Sequence, residues 1–525
     1  MSPTEDHLKT HPRYKWEVLV IVMIGTLMAA LDTSIVNVSI PSIMADFGVG
    51  VDDIEWVVTG YMLAFAVLMP LTAWVRDVMG SRALYTISLL VFTLGSVLCG
   101  MAWNLPSLIV ARIIQALGGG ALMPVGMSMI SDVFEPHERG KAMGYWGVGV
   151  IMGPAMGPTL GGILTKSFGW RSIFLVNIPI GIIGVFLALR ILIPDKPHAS
   201  ERRAFDFWGF AFLSTFLVAF LLGVSNGEHE GWNSAYVVTC AIISFFSVIG
   251  FFLVESLIPN GIVDFSLFRS SVLSIATLVT FVRSVALYGG IFLLPLFLQR
   301  QMGFDEIESG LLMMPGALAV AFAMPIAGKL SDRVGSRWPA VFGLCAVSYS
   351  MLMYRNIDIT TSLWNVIAPT LVRGVGMGFL MAPVMATAMN AVPRNKAGIT
   401  SSMLNLIQQV GGSIGIAFLA TVLGHRIHFH MAVASSAMHA NSPAMFDTVR
   451  RVAAHAHLLG LTHGQSFMAA KMGVAHQLGV AAMVSSFQDA FMVGAGIVAI
   501  AIVPALFLPN RSVATGPKPE GVHLE

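Results

Sequence analysis

Charge is scarce in this chain. Asp, Glu, Lys and Arg together make 11% of its 525 residues, against 56% apolar residues, and mean hydropathy is +0.78. So few charged groups cannot cover a soluble globule, which excludes that class. Cysteine is nearly absent: Cys99, Cys240 and Cys345 are the three. They lie far apart inside apolar runs, which argues against a metal cluster or a disulfide framework and leaves them as small core residues. No phosphate loop of the G-x-x-x-x-G-K-[ST] kind occurs, and Gly118, Gly119 and Gly120 fall inside an apolar run with no strand before them. No enzyme constellation and no ATPase machinery is visible, so energy must come from a gradient, with no cofactor. A net charge of +2 gives no ground for a nucleic-acid partner. A cleavable signal peptide is also missing. The first seventeen residues are polar and lead into a long apolar run, which is expected to target the membrane itself.

Apolar runs long enough to cross ~30 Å of hydrocarbon recur throughout. Fourteen are counted, near 18–41, 54–75, 83–102, 105–128, 140–163, 172–193, 206–224, 234–256, 272–298, 309–330, 338–354, 363–385, 397–424 and 486–508. Lys and Arg concentrate in alternate connections, which places both termini in the cytoplasm of a multi-pass protein. AWVRDVMGSR (Ala73 to Arg82) before the third run is echoed by GKLSDRVGSR (Gly328 to Arg337) after the tenth, and RIIQALGGGALMP (Arg112 to Pro124) by TLVRGVGMGFLMAP (Thr370 to Pro383). Such a parallel repeat is the sign of a two-bundle transporter with its substrate between the halves. The spacing of the repeat makes runs seven and eight an insertion. The expected organisation is a six-helix bundle over 1–193, a linker with two inserted helices over 194–269, a second six-helix bundle over 270–508, and a tail over 509–525. A hydrophilic outer loop over 424–485 holds His425, His428 and His430. A structural or pH-responsive surface is the favoured reading of these histidines, and a metal site the minority one.

Asp32 is the carboxylate placed deepest in a run, where ionisation is costly and reversible protonation suits it. It is assigned the proton site, with Asn37 about a turn on as a stabilising neighbour. Arg112 is expected either to sense the charge of Asp32 or to hold the bundle together, with Gln115 one turn away. Arg283, Tyr288 and Arg373, with Asn37 and Gln115, are expected to line a substrate cavity, although each aromatic residue alone is more often packing. The turn residues Asp77, Arg82, Asp332, Arg333 and Arg337 are expected to form conformational latches, released when the closed state opens. GYWGVGVIMGPAMGPTLGG, Gly144 to Gly162, holds a density of Gly and Pro that a soluble helix would not survive. Gly144, Gly153, Gly157, Gly161 and Gly162 are expected to form one bare face for close helix contact, with a bend at Pro154 and Pro158.

That last segment resembles the antiporter motif of drug exporters. With LDTSIVNVSIP (Leu31 to Pro41), FGWRSIFLVNIPIG (Phe168 to Gly181), IVDFSLFR, LLPLFLQ, SGLLMMP and GGSIG, the chain resembles the fourteen-span drug:proton antiporters of the major facilitator superfamily, of the EmrB/QacA type and nearest EmrB. The resemblance implies an all-α polytopic membrane protein of two six-helix bundles plus two inserted linker helices. It implies a bacterial inner-membrane efflux pump exchanging protons for lipophilic drugs by alternating access, bathed by membrane lipids. Asp32 is then the coupling carboxylate and Arg112 the fourth-span motif arginine. A periplasmic membrane-fusion adaptor and an outer-membrane channel are the implied partners of a tripartite system. Ala73 and Val78 depart from the turn motif, so the first latch is expected to be weaker or differently partnered. A dedicated exporter of one metabolite (a siderophore, antibiotic or fatty acid) is the alternative, and a non-transporting receptor or scaffold is less favoured.

Overall fold

The computed structural model describes residues 12–194, 205–258, 263–393, 396–439, 449–451, 453 and 462–510. The charged linker, part of the long outer connection and the tail from 511 lie outside the described residues. Among the described residues fourteen long helices follow one another: α1 Pro12–Phe47, α2 Val51–Met79, α3 Ser81–Gly100, α4 Leu105–Val133, α5 Arg139–Phe168, α6 Asn177–Ile191, α7 Phe207–Glu230, α8 Ala235–Leu257, α9 Ser271–Arg300, α10 Glu306–Val334, α11 Arg337–Met353, α12 Leu363–Asn390, α13 Ala397–His439 and α14 His463–Ile500. Their ends are set locally. Asn104 and Ser107 form a capping box on α4, as Asp305 and Glu308 do on α10. Gly80 and Gly335 adopt φ of 85° in the two repeated turns, a backbone that a residue with a Cβ rarely tolerates.

Twelve of these helices are long and apolar enough to cross a membrane, counting α6 with the short helix Ser172–Leu175 before it. Twelve of the fourteen expected spans are thus met among the described residues. The remaining two are α11, of only 17 residues, and α5, which includes residues outside the described ones. Both nevertheless pack in the bundle. In the first half α1 packs on α5 and α6, and α4 on α2 and α3, while α3 meets α6. In the second half α9 packs on α13 and α14, and α12 on α10 and α11, while α11 meets α14. The two halves repeat one packing plan, and α7 and α8 stand outside it. Leu406 and Val410 of α13 pack against a buried cluster of Leu213 and Leu217 of α7 with Phe251 of α8, and the ring of Phe205, just before α7, lies 4.9 Å from that of Trp74 of α2. The inserted pair therefore leans across both halves.

One end of the bundle carries both ends of the described chain; it is called the terminal face below. There Lys15 pairs with Glu138, and Arg337 donates to the carbonyl oxygens of Leu508 and Pro509. The hydrophilic outer stretch is mostly helix rather than loop. α13 has 43 residues, about 65 Å at 1.5 Å each, so α13 and α14 project beyond a ~30 Å core at the opposite face.

Candidate functional site

A buried charge cluster sits inside the first half. Asp32 is 0% exposed and Arg112 1%. Arg112 Nη1 donates to Asp32 Oδ2 at 2.5 Å and to Gln115 Oε1 at 2.6 Å. Gln115 Nε2 donates to Asp32 Oδ1 at 2.8 Å and to Ser96 Oγ at 2.7 Å. Asn177 Nδ2 donates to Asp32 Oδ1 at 3.1 Å. The ring of Tyr61 takes the guanidinium on its face, 3.9 Å away. Side chains from two other helices, α4 and α6, converge to satisfy one carboxylate, which answers the cost of a charge in a dry interior.

Two sequence expectations change here. Gln115 belongs to this cluster and is fully buried, not a cavity wall. Asn37 is exposed and is not among the partners of Asp32. Five residues along an α-helix rotate a side chain about 140° away, so the two cannot share a face. Asn177 holds the place expected of Asn37. Its signal was a lone amide in the apolar stretch FLVNIPIG.

The glycines of α5 divide into two faces instead of forming one. A Cβ at Gly153 would stand 2.5 Å from the Ala30 carbonyl carbon, one at Gly157 would collide with Ser34, and one at Gly161 would lie 2.9 Å from the Ile35 carbonyl oxygen. These three, four residues apart, seat α5 on the stretch of α1 that carries Asp32. Gly144 instead faces α10, 2.7 Å from the Met324 carbonyl oxygen, and Gly162 faces the Ile307 side chain. α5 is one uninterrupted helix, and the surroundings of Pro154 and Pro158 lie outside the described residues.

At the terminal face the halves are joined. Asp332 accepts from the backbone N–H groups of Gly140 and Lys141, each at 2.9 Å, so a carboxylate of the second half caps the first turn of α5. Arg139 donates to Asn390 Oδ1 at 2.8 Å and to the Met389 carbonyl, while Asn390 donates to the Pro136 carbonyl. Thr72 and Ser402 bond at 2.8 Å, and Asn405 reaches Met127 Sδ at 3.9 Å. Arg139 and Asn390 carry no motif signal, and sequence reasoning missed them. Of the expected latch residues, Asp77 is half-buried and partnered. Arg82 and Arg337 bond within their own halves, to the carbonyls of Leu189 and Leu508. Arg333 is exposed.

The second half holds two buried cations. Arg283 donates to Gln408 Oε1 at 2.8 Å, and its Nη1 is buried without a partner. Tyr288, half-buried and five residues on along α9, sets its ring against Gly412, one turn along α13 from Gln408. Arg373 stands apart, its guanidinium near Gly290 and its Nη1 also unpartnered. The histidines do not converge: His430 bonds Asp489 at 2.8 Å, His425 bonds the Thr421 carbonyl of its own helix, and His428 is exposed. Among the described residues no three metal-ligating side chains gather.

Comparison with known proteins follows this geometry. The family described as Major Facilitator Superfamily matches residues 22–416. A Mycobacterium tuberculosis protein named multidrug resistance protein B homolog is 31% identical over 94% of this chain and 90% of its own length. Riboflavin transporter RibZ of Clostridioides difficile is 32% identical over 80% of this chain and 90% of its own. The crystal structure of the human organic anion transporter MFSD10 shares the fold, with a TM-score of 0.62 at 12% identity over 94% of this chain and all of that one.

Proposed function

Because the chain belongs to the major facilitator superfamily of membrane transporters, we propose that it exports hydrophobic or amphipathic small molecules in exchange for protons, by alternating access. The observation that carries this reading is the dry Asp32–Arg112–Gln115–Asn177 cluster, held against α5 by its glycine stripe. A proton on Asp32 neutralises the ion pair and loosens the tie between α1 and α4. Substrate and proton then occupy alternate states of one carrier. The joined terminal face supports a state open toward the opposite side, where Asp332 and Arg139 hold the halves together and release them when that face opens.

In this reading α5 and α11 also cross the bilayer, making fourteen spans of the EmrB/QacA type. The Lys/Arg asymmetry puts the terminal face in the cytoplasm of a bacterial inner membrane. The projecting ends of α13 and α14 supply the docking surface for a periplasmic adaptor and its outer-membrane channel. Export rather than uptake rests on the likeness of the Gly144–Gly162 segment to the antiporter motif. A second reading, one dedicated metabolite, is favoured by the relative named a riboflavin transporter.

The test is proton movement in energised inverted vesicles, followed with a pH-sensitive dye while lipophilic cations, weak acids, neutral drugs and riboflavin are added. Substrate-triggered proton release in the parent and its loss in Asp32→Asn support the reading. Exchange that persists in Asp32→Asn removes the carboxylate from the coupling role. A response to riboflavin alone favours the dedicated exporter.

A further inference from the structure

The two halves build the same seat and fill it with opposite charge. In the first half Gly153 and Gly157 of α5, four residues apart, press on Ala30 and Ser34 of α1, and Asp32 lies midway between those two. In the second half Gly411 and Gly415 of α13, also four apart, press on Phe281 and Val285 of α9, and Arg283 lies midway. Since α9 and α13 pack as α1 and α5 do, Arg283 stands where the repeat puts Asp32. Asp32 has its counter-ion built in. Arg283 has none among the described residues: it is 1% exposed, one amide oxygen accepts from it, and its Nη1 has no partner.

A dry guanidinium without an anion is costly, and its planar fork is suited to a carboxylate or a similar oxyanion. Its place decides where that anion comes from. Gln408, which holds Arg283, is one turn along α13 from Asn405 and two from Ser402, the residues that meet Met127 and Thr72 of the first half. Parting the halves at the terminal face uncovers this face of α13, and with it Arg283. We propose that Arg283, steadied by Gln408 and with Tyr288 packed one turn along α13 from Gln408, receives the acidic group of an amphipathic substrate, a carboxylate, phenolate or sulfonate entering from the terminal face. The proposal deepens the exporter reading by naming a substrate class, but it needs only binding, and so stands or falls separately from proton coupling.

Equilibrium binding to the full-length protein in zwitterionic nanodiscs tests it, using a dansyl-tagged undecanoic acid and its primary amide. The parent is expected to bind the acid at least ~10-fold more tightly than the amide, as a charge-assisted pair requires. Arg283→Gln is expected to abolish that preference while leaving amide binding within about two-fold, and Arg283→Lys to keep part of it. Equal binding of acid and amide by the parent overturns the proposal without any variant. So does an Arg283→Gln protein that still prefers the acid. If Arg283→Gln does not fold, Gln408→Ala and Tyr288→Phe read the same ratio, and an unchanged preference in both overturns the assignment. Complete displacement of the acid by chloride or inorganic phosphate at cellular concentration assigns the site to a small counter-ion and also overturns it, as does restored acid preference only when anionic lipid is removed from native membranes.

Discussion

The first half of the bundle buries a charge pair, and the second half buries charge of one sign. Asp32 and Arg112 cancel each other inside α1 and α4, with Gln115 and Asn177 completing the shell. Arg283 and Arg373 occupy α9 and α12 with no carboxylate facing them among the described residues. Thr370 and Arg373 follow the α12 echo of the segment that carries Arg112 and Gln115. A duplicated scaffold has thus kept its backbone packing while its polar content diverged. The self-contained half is suited to a small ligand that adds no bulk, a proton. The half with unmet charge is suited to a ligand that brings its own acceptors.

The largest break in this comparison is expected from Asp32→Asn. It leaves Arg112 buried without its anion, a loss of about 3–5 kcal/mol of stability, and reduces substrate-triggered proton movement to background. Adding Arg112→Gln to it is expected to recover much of the melting temperature and none of the coupling. Arg283→Gln, by contrast, removes a charge already uncompensated and is expected not to lower the melting temperature. A steep loss there would mean that the two halves are balanced alike.

Glycine substitutions sharpen the comparison next. Gly153→Val, driven into the Ala30 backbone, and Gly415→Val, 2.7 Å from Val285 Cα at its Cβ, should each cost about 1–3 kcal/mol and most of the transport. Gly162→Ala meets side-chain atoms alone, of Ile307 at 3.3 Å and Val38 at 4.0 Å, and should transport nearly as the parent does. Equal damage at all three, measured by transport in vesicles, would break the claim that the stripe serves the buried charges.

A smaller effect is expected at the terminal face. Asp332→Ala removes both bonds to the start of α5, and should lower the yield of a disulfide between cysteines placed at Thr72 and Ser402 by several-fold. Arg333→Ala should leave that yield unchanged, since Arg333 is exposed. The smallest effect belongs to Asp264, on the connection after α8. Burial pushes its carboxyl up, but the Lys396 ammonium and Ser266 outweigh that and hold it below its ordinary value. The stability it contributes is therefore present above the unfolded carboxylate pKa of about 3.9, and is lost as pH falls through the lower folded value. A melting curve against pH should show a shallow acid-side loss that Lys396→Met abolishes.

Much of the fold is legible in the residues. Hydropathy marks nearly every long helix, and the two GSR turns at Arg82 and Arg337 mark the repeat. The same is true of which polar residues are buried, because Asp32, Arg112, Gln115, Arg283 and Arg373 stand out in apolar runs. Less legible was their company. Asn37 looked like the neighbour of Asp32 and faces elsewhere, whereas Asn177, from another helix, takes that place. The glycines of α5 looked like one stripe and serve two partners. The hydrophilic stretch from 424 carries amphipathic segments, but not the lengths of the helices they join: α13 runs on to His439 and α14 begins at His463.

These differences share a cause. A helix in lipid is apolar nearly all round, so no hydrophobic stripe in the sequence records which way it is turned. Composition and spacing by themselves determined that the chain is a helical membrane protein, that it is a repeated structure, and that charge is buried in it. Only the tertiary structure decided how each helix is rotated. That rotation joins Asp32 to Arg112, Gln115 and Asn177 across contacts of 80 residues and more, and leaves Arg283 without an anion.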